Sequence, residues 1–111
     1  MKNEMFFDEE AQKDLMSAAV RLYEADMYDH CMIILNLLIK SGLKEAYVLA
    51  GHCVSAGQPE VSGGISNAYY EAACELGSAV GCYNLHLNYQ QSDESRSKVY
   101  LERARALGWV D

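Results

Sequence analysis

Residues Ala68–Leu85 read AYYEAACELGSAVGCYNL, and this stretch decides the fold of the 111-residue chain. Apolar residues recur at helical spacing on both sides of Gly77, and a glycine directly after a helix is its usual left-handed cap. The stretch therefore predicts two helices joined by a tight turn. Elsewhere the chain has one proline, Pro59, and no sustained period-two alternation, so the sequence predicts an all-α protein.

Three glycines that follow predicted helices, Gly42, Gly77 and Gly108, are separated by roughly one helical-hairpin repeat, a class of ~34 residues. Similar residues recur at fixed distances before each glycine. Small residues are needed where two helices approach closely, and large ones where a gap between hairpins must be filled. The recurring residues are Ile34, Tyr69 and Tyr100 eight positions before the glycine, and Leu38, Ala73 and Ala104 four positions before it.

The stretch Ala68–Leu85 closely resembles a Sel1-like repeat, a TPR-like helical repeat. It has an aromatic pair, paired small residues, a glycine and a leucine in the family's order, and Tyr89 fills the place of the family's later tyrosine. Gly42–Gly57 resembles the second helix of another repeat, and Val99–Gly108 resembles the first helix of a third. His86 departs from the pattern, because the family usually has glycine there. The resemblance implies a short right-handed solenoid of antiparallel helix hairpins with about six helices.

The resemblance divides a single domain, residues 1–111, into four predicted segments. Residues 1–27 form an N-terminal capping helix, and residues 28–57 form a degenerate repeat. Residues 58–91 form the Sel1-like repeat, and residues 92–111 form a C-terminal half-repeat that also acts as a cap. Caps are expected because a stack of repeats otherwise exposes an apolar face at each end.

Four cysteines occur, and two of them, Cys74 and Cys82, flank the turn at Gly77. A hairpin brings these two together near its closed end, and the resemblance to cysteine-rich Sel1-like proteins implies a disulfide between them. Cys31 and Cys53 do not match that pattern. The N-terminal sequence lacks the apolar core of a signal peptide, which favours a reducing compartment and free thiols. Reduced thiols are therefore the preferred prediction, and the disulfide is the alternative.

The chain is acidic, with 16 Asp and Glu residues against 9 Lys and Arg residues and a net charge of −7. No Lys or Arg occurs between Lys44 and Arg96. Binding to nucleic acid or to an anionic membrane needs clustered basic residues, so neither is expected. The longest apolar run, Cys31–Ile39, is interrupted by Asn36 and too short to insert in a membrane. The predicted location is cytoplasmic, with a periplasmic location as the alternative if a signal peptide has been removed.

No motif predicts a cofactor, a metal site or catalysis. The adjacent pairs His30-Cys31 and His52-Cys53 point in different directions on a helix, and no C-x2-C spacing occurs. Gly63-Gly64 lacks the lysine of a phosphate-binding loop. A non-enzymatic protein is therefore predicted, and a hydrolase with an unrecognised site is a further alternative.

A helical-repeat protein binds partners mainly through the concave surface formed by the first helices of its hairpins. The sequence predicts that these are the second, fourth and sixth helices. Tyr69 and Tyr100 are expected to be wedges between helices, whereas Tyr and Arg elsewhere are suitable interface anchors. The predicted contact residues are Asn36, Asn67, Tyr70, Glu71, Glu75, Tyr83, Arg96 and Arg103.

The predicted function is that of a protein-binding module, either an adaptor or an inhibitor. Its acidic charge would speed encounter with a partner that has a basic surface. An immunity protein that neutralises a bacterial toxin or effector is one such inhibitor, and the resemblance allows this role. The alternative is an oxidised periplasmic scaffold of the cysteine-rich type. The chain is expected to be a monomer or a homodimer.

Overall fold

A computed structural model describes residues 7–59 and 62–110. These residues form six α-helices and no β-strand, and each helix packs against the next one along the chain. The predicted all-α architecture of packed helices is therefore confirmed. The helices are α1 (Glu9–Glu24), α2 (Tyr28–Lys40), α3 (Lys44–Gly57), α4 (Ser62–Glu75), α5 (Ala79–Tyr89) and α6 (Glu94–Ala106).

The turns after α1, α2, α4 and α6 share one backbone geometry. Gly42, Gly77 and Gly108 have φ values of +78°, +98° and +106°, and Asp26 has the same left-handed conformation at φ 61°. In each turn, the residue directly after the left-handed one donates its backbone N–H. The acceptor is the carbonyl oxygen of the residue four positions before the left-handed one, so a carbonyl at the helix end is satisfied. The donor–acceptor pairs are Met27–Leu22, Leu43–Leu38, Ser78–Ala73 and Trp109–Ala104, at distances from 2.9 to 3.4 Å.

A buried side chain eleven residues before each turn glycine ties an even-numbered helix to the helix before it. Cys31 Sγ donates to Ala19 O at 3.2 Å. Ser66 Oγ donates to Gly51 O at 3.2 Å, and Ser97 Oγ donates to His86 O at 2.8 Å. These bonds join α1 to α2, α3 to α4 and α5 to α6.

The three repeated bonds define three equivalent hairpins that begin with α1. The boundaries predicted from the sequence at residues 28, 58 and 92 lie one helix later, and they remain a prediction of where the sequence repeat begins. In the structure α1, like α3 and α5, accepts a buried side-chain hydrogen bond from the helix that follows it. It is therefore the first helix of a hairpin. It also contacts α3 directly, which places odd-numbered helices side by side.

Two clusters of buried residues form the core. The first lies between α1, α2 and α3, and Leu35 and Leu38 are fully buried there. The second lies between α4, α5 and α6 and includes Tyr70 and Leu85. The apolar run of α2 thus faces the core on one side, whereas its residue Ile33 is 64% exposed on the other.

Two glycines allow close approach between helices. A Cβ on Gly51 would lie 2.5 Å from Cε1 of Tyr70, so the tyrosine ring occupies the space that a side chain would need. A Cβ on Gly81 would lie 2.8 Å from Cβ of Ala73 and 3.1 Å from backbone atoms of α4. The absence of a side chain at Gly81 therefore lets α4 and α5 pack almost backbone to backbone.

This close approach brings Cys74 of α4 and Cys82 of α5 together, with their Cα atoms 4.7 Å apart. The two sulfurs are bonded as a disulfide. The pairing implied by the resemblance is therefore present, and the reduced pair that the sequence favoured is not. The preference for reduced thiols came from the predicted compartment. The positions of α4 and α5 bring the two sulfurs together whatever the compartment is.

Gly81→Ala is expected to lower the free energy of unfolding by about 2–3 kcal/mol, as over-packing usually does. Two of the three atoms nearest the new methyl group belong to the backbone and cannot rotate away. Gly64→Ala is the matched control, since a Cβ on this helical glycine meets nothing within 4 Å. It should stabilise the helix by up to ~1 kcal/mol. Urea denaturation measures both changes, and an unchanged Gly81→Ala variant would contradict the close approach.

Candidate partner-binding cleft

An apolar groove crosses the odd-numbered helices. It has a volume of 380 Å³ and is lined by Met16 and Val20 of α1, Val48 of α3, Val80 of α5 and Leu107 at the end of α6. Three of these side chains are unusually exposed for apolar residues: Val20 at 36%, Val80 at 43% and Leu107 at 42%. The groove therefore presents apolar surface that the fold itself does not cover.

An acidic recess of 930 Å³ adjoins the apolar groove. Met16 and Glu45 line both cavities, so the two adjoin, and we call them together the binding cleft. Lys13 lies among the acidic side chains. The acidic side chains are Glu9, Glu10, Asp14 and Glu45.

Local helix chemistry positions these carboxylates. Asp8 caps α1 by accepting a hydrogen bond from the N–H of Ala11 at 2.8 Å, so Glu9 and Glu10 occupy its first turn. Glu45 lies in the first turn of α3, directly after the Gly42 turn. Negative charge is favourable at a helix N-terminus. The acids thus help to stabilise the helices as well as charging the binding cleft.

His52 lies where the apolar part of the binding cleft meets the core. Its Nδ1 shares a hydrogen bond of 2.7 Å with the hydroxyl of Tyr70. Its ring also lies 6.3 Å from that of Tyr23, between ring centroids. Burial lowers the pKa of His52 below its ordinary value, because the charged ring would lose water. The ring is therefore neutral at neutral pH.

Tyr70, predicted as a contact residue, is only 3% exposed, and that prediction is wrong. Its ring fills the space beside Gly51, so it is the wedge between α3 and α4. The neighbouring Tyr69, predicted as a wedge, is partly buried against the first core cluster. Which of two adjacent tyrosines enters the gap depends on Gly51, which lies on a different helix.

Two further predicted residues are already engaged within the protein. Tyr83 stacks on Trp109 with ring centroids 4.1 Å apart. Asn67 accepts a hydrogen bond of 2.7 Å from Asn88. Both side chains contribute to contacts of α5 with its neighbours.

The two predicted arginines cover a pair of stacked tyrosines. Arg96 lies 5.1 Å from the ring centroid of Tyr89 and donates to its hydroxyl at 3.1 Å. Arg103 lies 5.5 Å from the ring centroid of Tyr100, which stacks on Tyr89 at 6.0 Å. Burial, and then the charge of Glu71, raise the pKa of Tyr100. The structure thus brings three predicted residues, Arg96, Arg103 and Glu71, around one aromatic pair.

None of the eight predicted contact residues lines the binding cleft. Asn36 and Glu75 are exposed on α2 and α4, so they lie on the even-numbered row. The sequence placed the partner-binding surface on the even-numbered helices, whereas most residues of the cleft lie on the odd-numbered helices. A usable signal was present in α3, where Glu45, Val48 and His52 are spaced to share one helix face.

One serine–histidine pair has the short distance that nucleophilic catalysis would need. Ser97 Oγ lies 2.8 Å from His86 Nδ1. However, Ser97 is 3% exposed and also donates to His86 O, so the pair holds α6 against α5. Within residues 7–59 and 62–110, no three His, Cys, Asp or Glu side chains are grouped to hold a metal ion.

Of the helices that the structure describes, none combines the length and the apolar composition required to span a membrane.

Acidification is expected to destabilise the protein through His52. Its pKa in the folded state lies below the unfolded value of ~6.5, so the unfolded chain binds the proton first. The neutral ring contributes fully to the free energy of unfolding above pH ~6.5, and this contribution is lost as the pH falls through the folded-state pKa. Urea midpoints between pH 7.5 and pH 5 should therefore fall less in His52→Asn than in the wild type. His30→Asn, at an exposed site, is the control, and equal pH profiles for wild type and His52→Asn would contradict this role.

No family model matches this chain, and no curated protein and no solved structure is significantly similar to it. The Sel1-like resemblance of residues 68–85 therefore stays a prediction from sequence.

Proposed function

We propose that this chain is a non-enzymatic protein-binding module that holds a segment of its partner in the binding cleft. One observation carries the proposal: an uncovered apolar groove adjoins an acidic recess, and Met16 and Glu45 line both. The partner segment would carry apolar side chains beside lysines or arginines. It would come from a protein with a basic surface, and the chain would act as an adaptor or as an inhibitor of that protein.

The apolar half of the binding cleft would supply most of the affinity. Val20, Val80 and Leu107 are between 36% and 43% exposed, and covering them removes apolar surface from water. Such burial is favourable by about 25 cal/mol per Å². These side chains lie on helices already fixed by packing, so binding them costs little ordering of the protein.

The acidic half would raise the rate of encounter with the partner and would favour partner segments that carry positive charge. Glu9, Glu10, Asp14 and Glu45 surround the recess, and the whole chain carries a net charge of −7. Charge complementarity of this kind mainly accelerates association, and salt weakens it. The same property suits an inhibitor that covers the basic surface of a toxin or effector, the immunity role that the resemblance allows.

Selection of peptides from a random display library against the intact chain tests this function. The proposal predicts enrichment of peptides that combine lysine or arginine with apolar residues. Their affinity should fall about tenfold or more when Val80→Asp or Glu45→Lys is introduced, since each change removes ~1.4 kcal/mol or more of binding free energy. Raising the salt concentration should also weaken binding.

Two variants outside the binding cleft provide matched controls. Ile33→Asp changes an apolar side chain that is 64% exposed on α2, and Glu75→Lys reverses an exposed charge on α4. Both should leave affinity unchanged, and circular dichroism confirms that all four variants fold. If Glu75→Lys weakens binding and Glu45→Lys does not, the even-numbered row predicted from the sequence is the binding surface.

The disulfide favours a second candidate, an oxidised periplasmic scaffold of the cysteine-rich type. Cys74 and Cys82 are bonded across the closest approach of α4 and α5. Acid quenching and alkylation of cells that express the chain natively would report the state of this pair. A bonded pair favours the periplasmic scaffold, whereas free thiols favour a cytoplasmic adaptor or inhibitor.

A further inference from the structure

The two cysteines outside the disulfide form a second close pair. Cys31 of α2 and Cys53 of α3 have their Sγ atoms 3.3 Å apart, and both are free thiols. They are 0% and 2% exposed. The thiol of Cys53 donates to Cys31 Sγ, and the thiol of Cys31 donates to Ala19 O.

A cavity lies beside one of the two cysteines. Cys53 lines a 560 Å³ cavity between the start of α2 and the end of α3, whereas Cys31 does not line it. Tyr28, Met32 and Gly57 form other parts of its wall. A small molecule in this cavity would therefore reach Cys53 before Cys31.

The structural role of position 31 does not require sulfur. Ser66 and Ser97 occupy the equivalent positions of the other hairpins and make the same hydrogen bond through a hydroxyl. Cys31 differs from them in having a second thiol, Cys53, within 3.3 Å. Its sulfur is therefore available for chemistry that a serine at the same position could not perform.

The residues around the two sulfurs, and not the separation of the sulfurs, favour a disulfide over a metal. Two thiolates on one tetrahedral zinc ion, each at ~2.3 Å, are about 3.8 Å apart. The observed 3.3 Å is closer to this distance than to the length of a disulfide bond, so the other side chains nearby decide the matter. The described residues also place no group of three His, Cys, Asp or Glu side chains that would complete such a site. A disulfide needs the sulfurs to approach to about 2.05 Å, a movement of roughly 1.2 Å.

We propose that Cys31 and Cys53 are a second redox pair, which a small-molecule disulfide oxidant that enters at Cys53 converts into a disulfide between α2 and α3. The thiolate of Cys53 attacks one sulfur of the oxidant, whose disulfide breaks and releases a thiolate. The thiolate of Cys31 then attacks Cys53 Sγ and displaces the second half of the oxidant. Two thiols of the protein lose two electrons and two protons, and the oxidant becomes two thiols.

Burial makes this pair slow to react. Desolvation raises the pKa of Cys31, and desolvation together with the neighbouring thiol raises the pKa of Cys53 to about 12. Since the thiolate is the attacking species, exchange is slow at neutral pH. The pair would therefore respond to a sustained change in redox conditions. This inference does not depend on the proposed binding function.

The test is to equilibrate the intact chain in glutathione buffers of graded ratio, from both the reduced and the oxidised side, until the two agree. The samples are quenched with acid, unfolded, alkylated and mapped by mass spectrometry. The proposal predicts a peptide that links Cys31 to Cys53 in the oxidising buffers. In the reducing buffers both residues should be alkylated.

Cys31→Ser is the matched variant, since serine makes this hydrogen bond at positions 66 and 97. It should leave Cys53 carrying glutathione as a mixed disulfide, because no second thiol remains to displace it. The proposal is overturned if Cys31 and Cys53 of the wild type are alkylated in every buffer, including those that oxidise Cys74 and Cys82. It is also overturned if Cys31 and Cys53 are found joined only to Cys74 or Cys82.

Discussion

The arrangement of the helices depends on one buried hydrogen bond that occurs three times. Cys31, Ser66 and Ser97 each donate to a backbone carbonyl oxygen of the preceding helix. A buried donor without an acceptor is costly, so each bond fixes both the distance and the register between two helices. The turn glycines, eleven residues later, reverse the chain in a conformation that other residues rarely adopt. Three different sequences thus form three similar hairpins, and each hairpin is followed by the same type of glycine turn.

The binding cleft is a consequence of this stacking. Repetition of the hairpin puts α1, α3 and α5 in one row, so side chains on one face of these three helices lie close to one another. Val20, Val48 and Val80 come from three helices and line one groove. The helix N-termini favour acidic residues, which is why Glu10 and Glu45 lie in the recess that adjoins this groove. Apolar anchors and an acidic edge thus arise from the same packing that gives the protein its stability.

The sequence was sufficient for the features that local chemistry determines. Helical periodicity and Gly77 predict α4, α5 and the turn between them, because both act within a few residues of the chain. The choice between Tyr69 and Tyr70 as the wedge could not be predicted, since it depends on the space beside Gly51. The hydrogen bond that joins α1 to α2 could not be predicted either, because the repeated donor is a serine twice and Cys31 once, and apolar sequence patterns do not reveal it. The cleft depends on contacts between helices that are distant in sequence.

Photo-cross-linking in cells that express the chain natively would locate the partner contact most directly. A photoreactive amino acid is placed in turn at Val20, Val80 and Ile33, of which the first two line the binding cleft and the third is exposed on α2. The proposed function predicts one discrete cross-linked product of the same mass from positions 20 and 80, and none from position 33. A product from position 33 alone, or none from any position, would contradict a partner bound in the cleft.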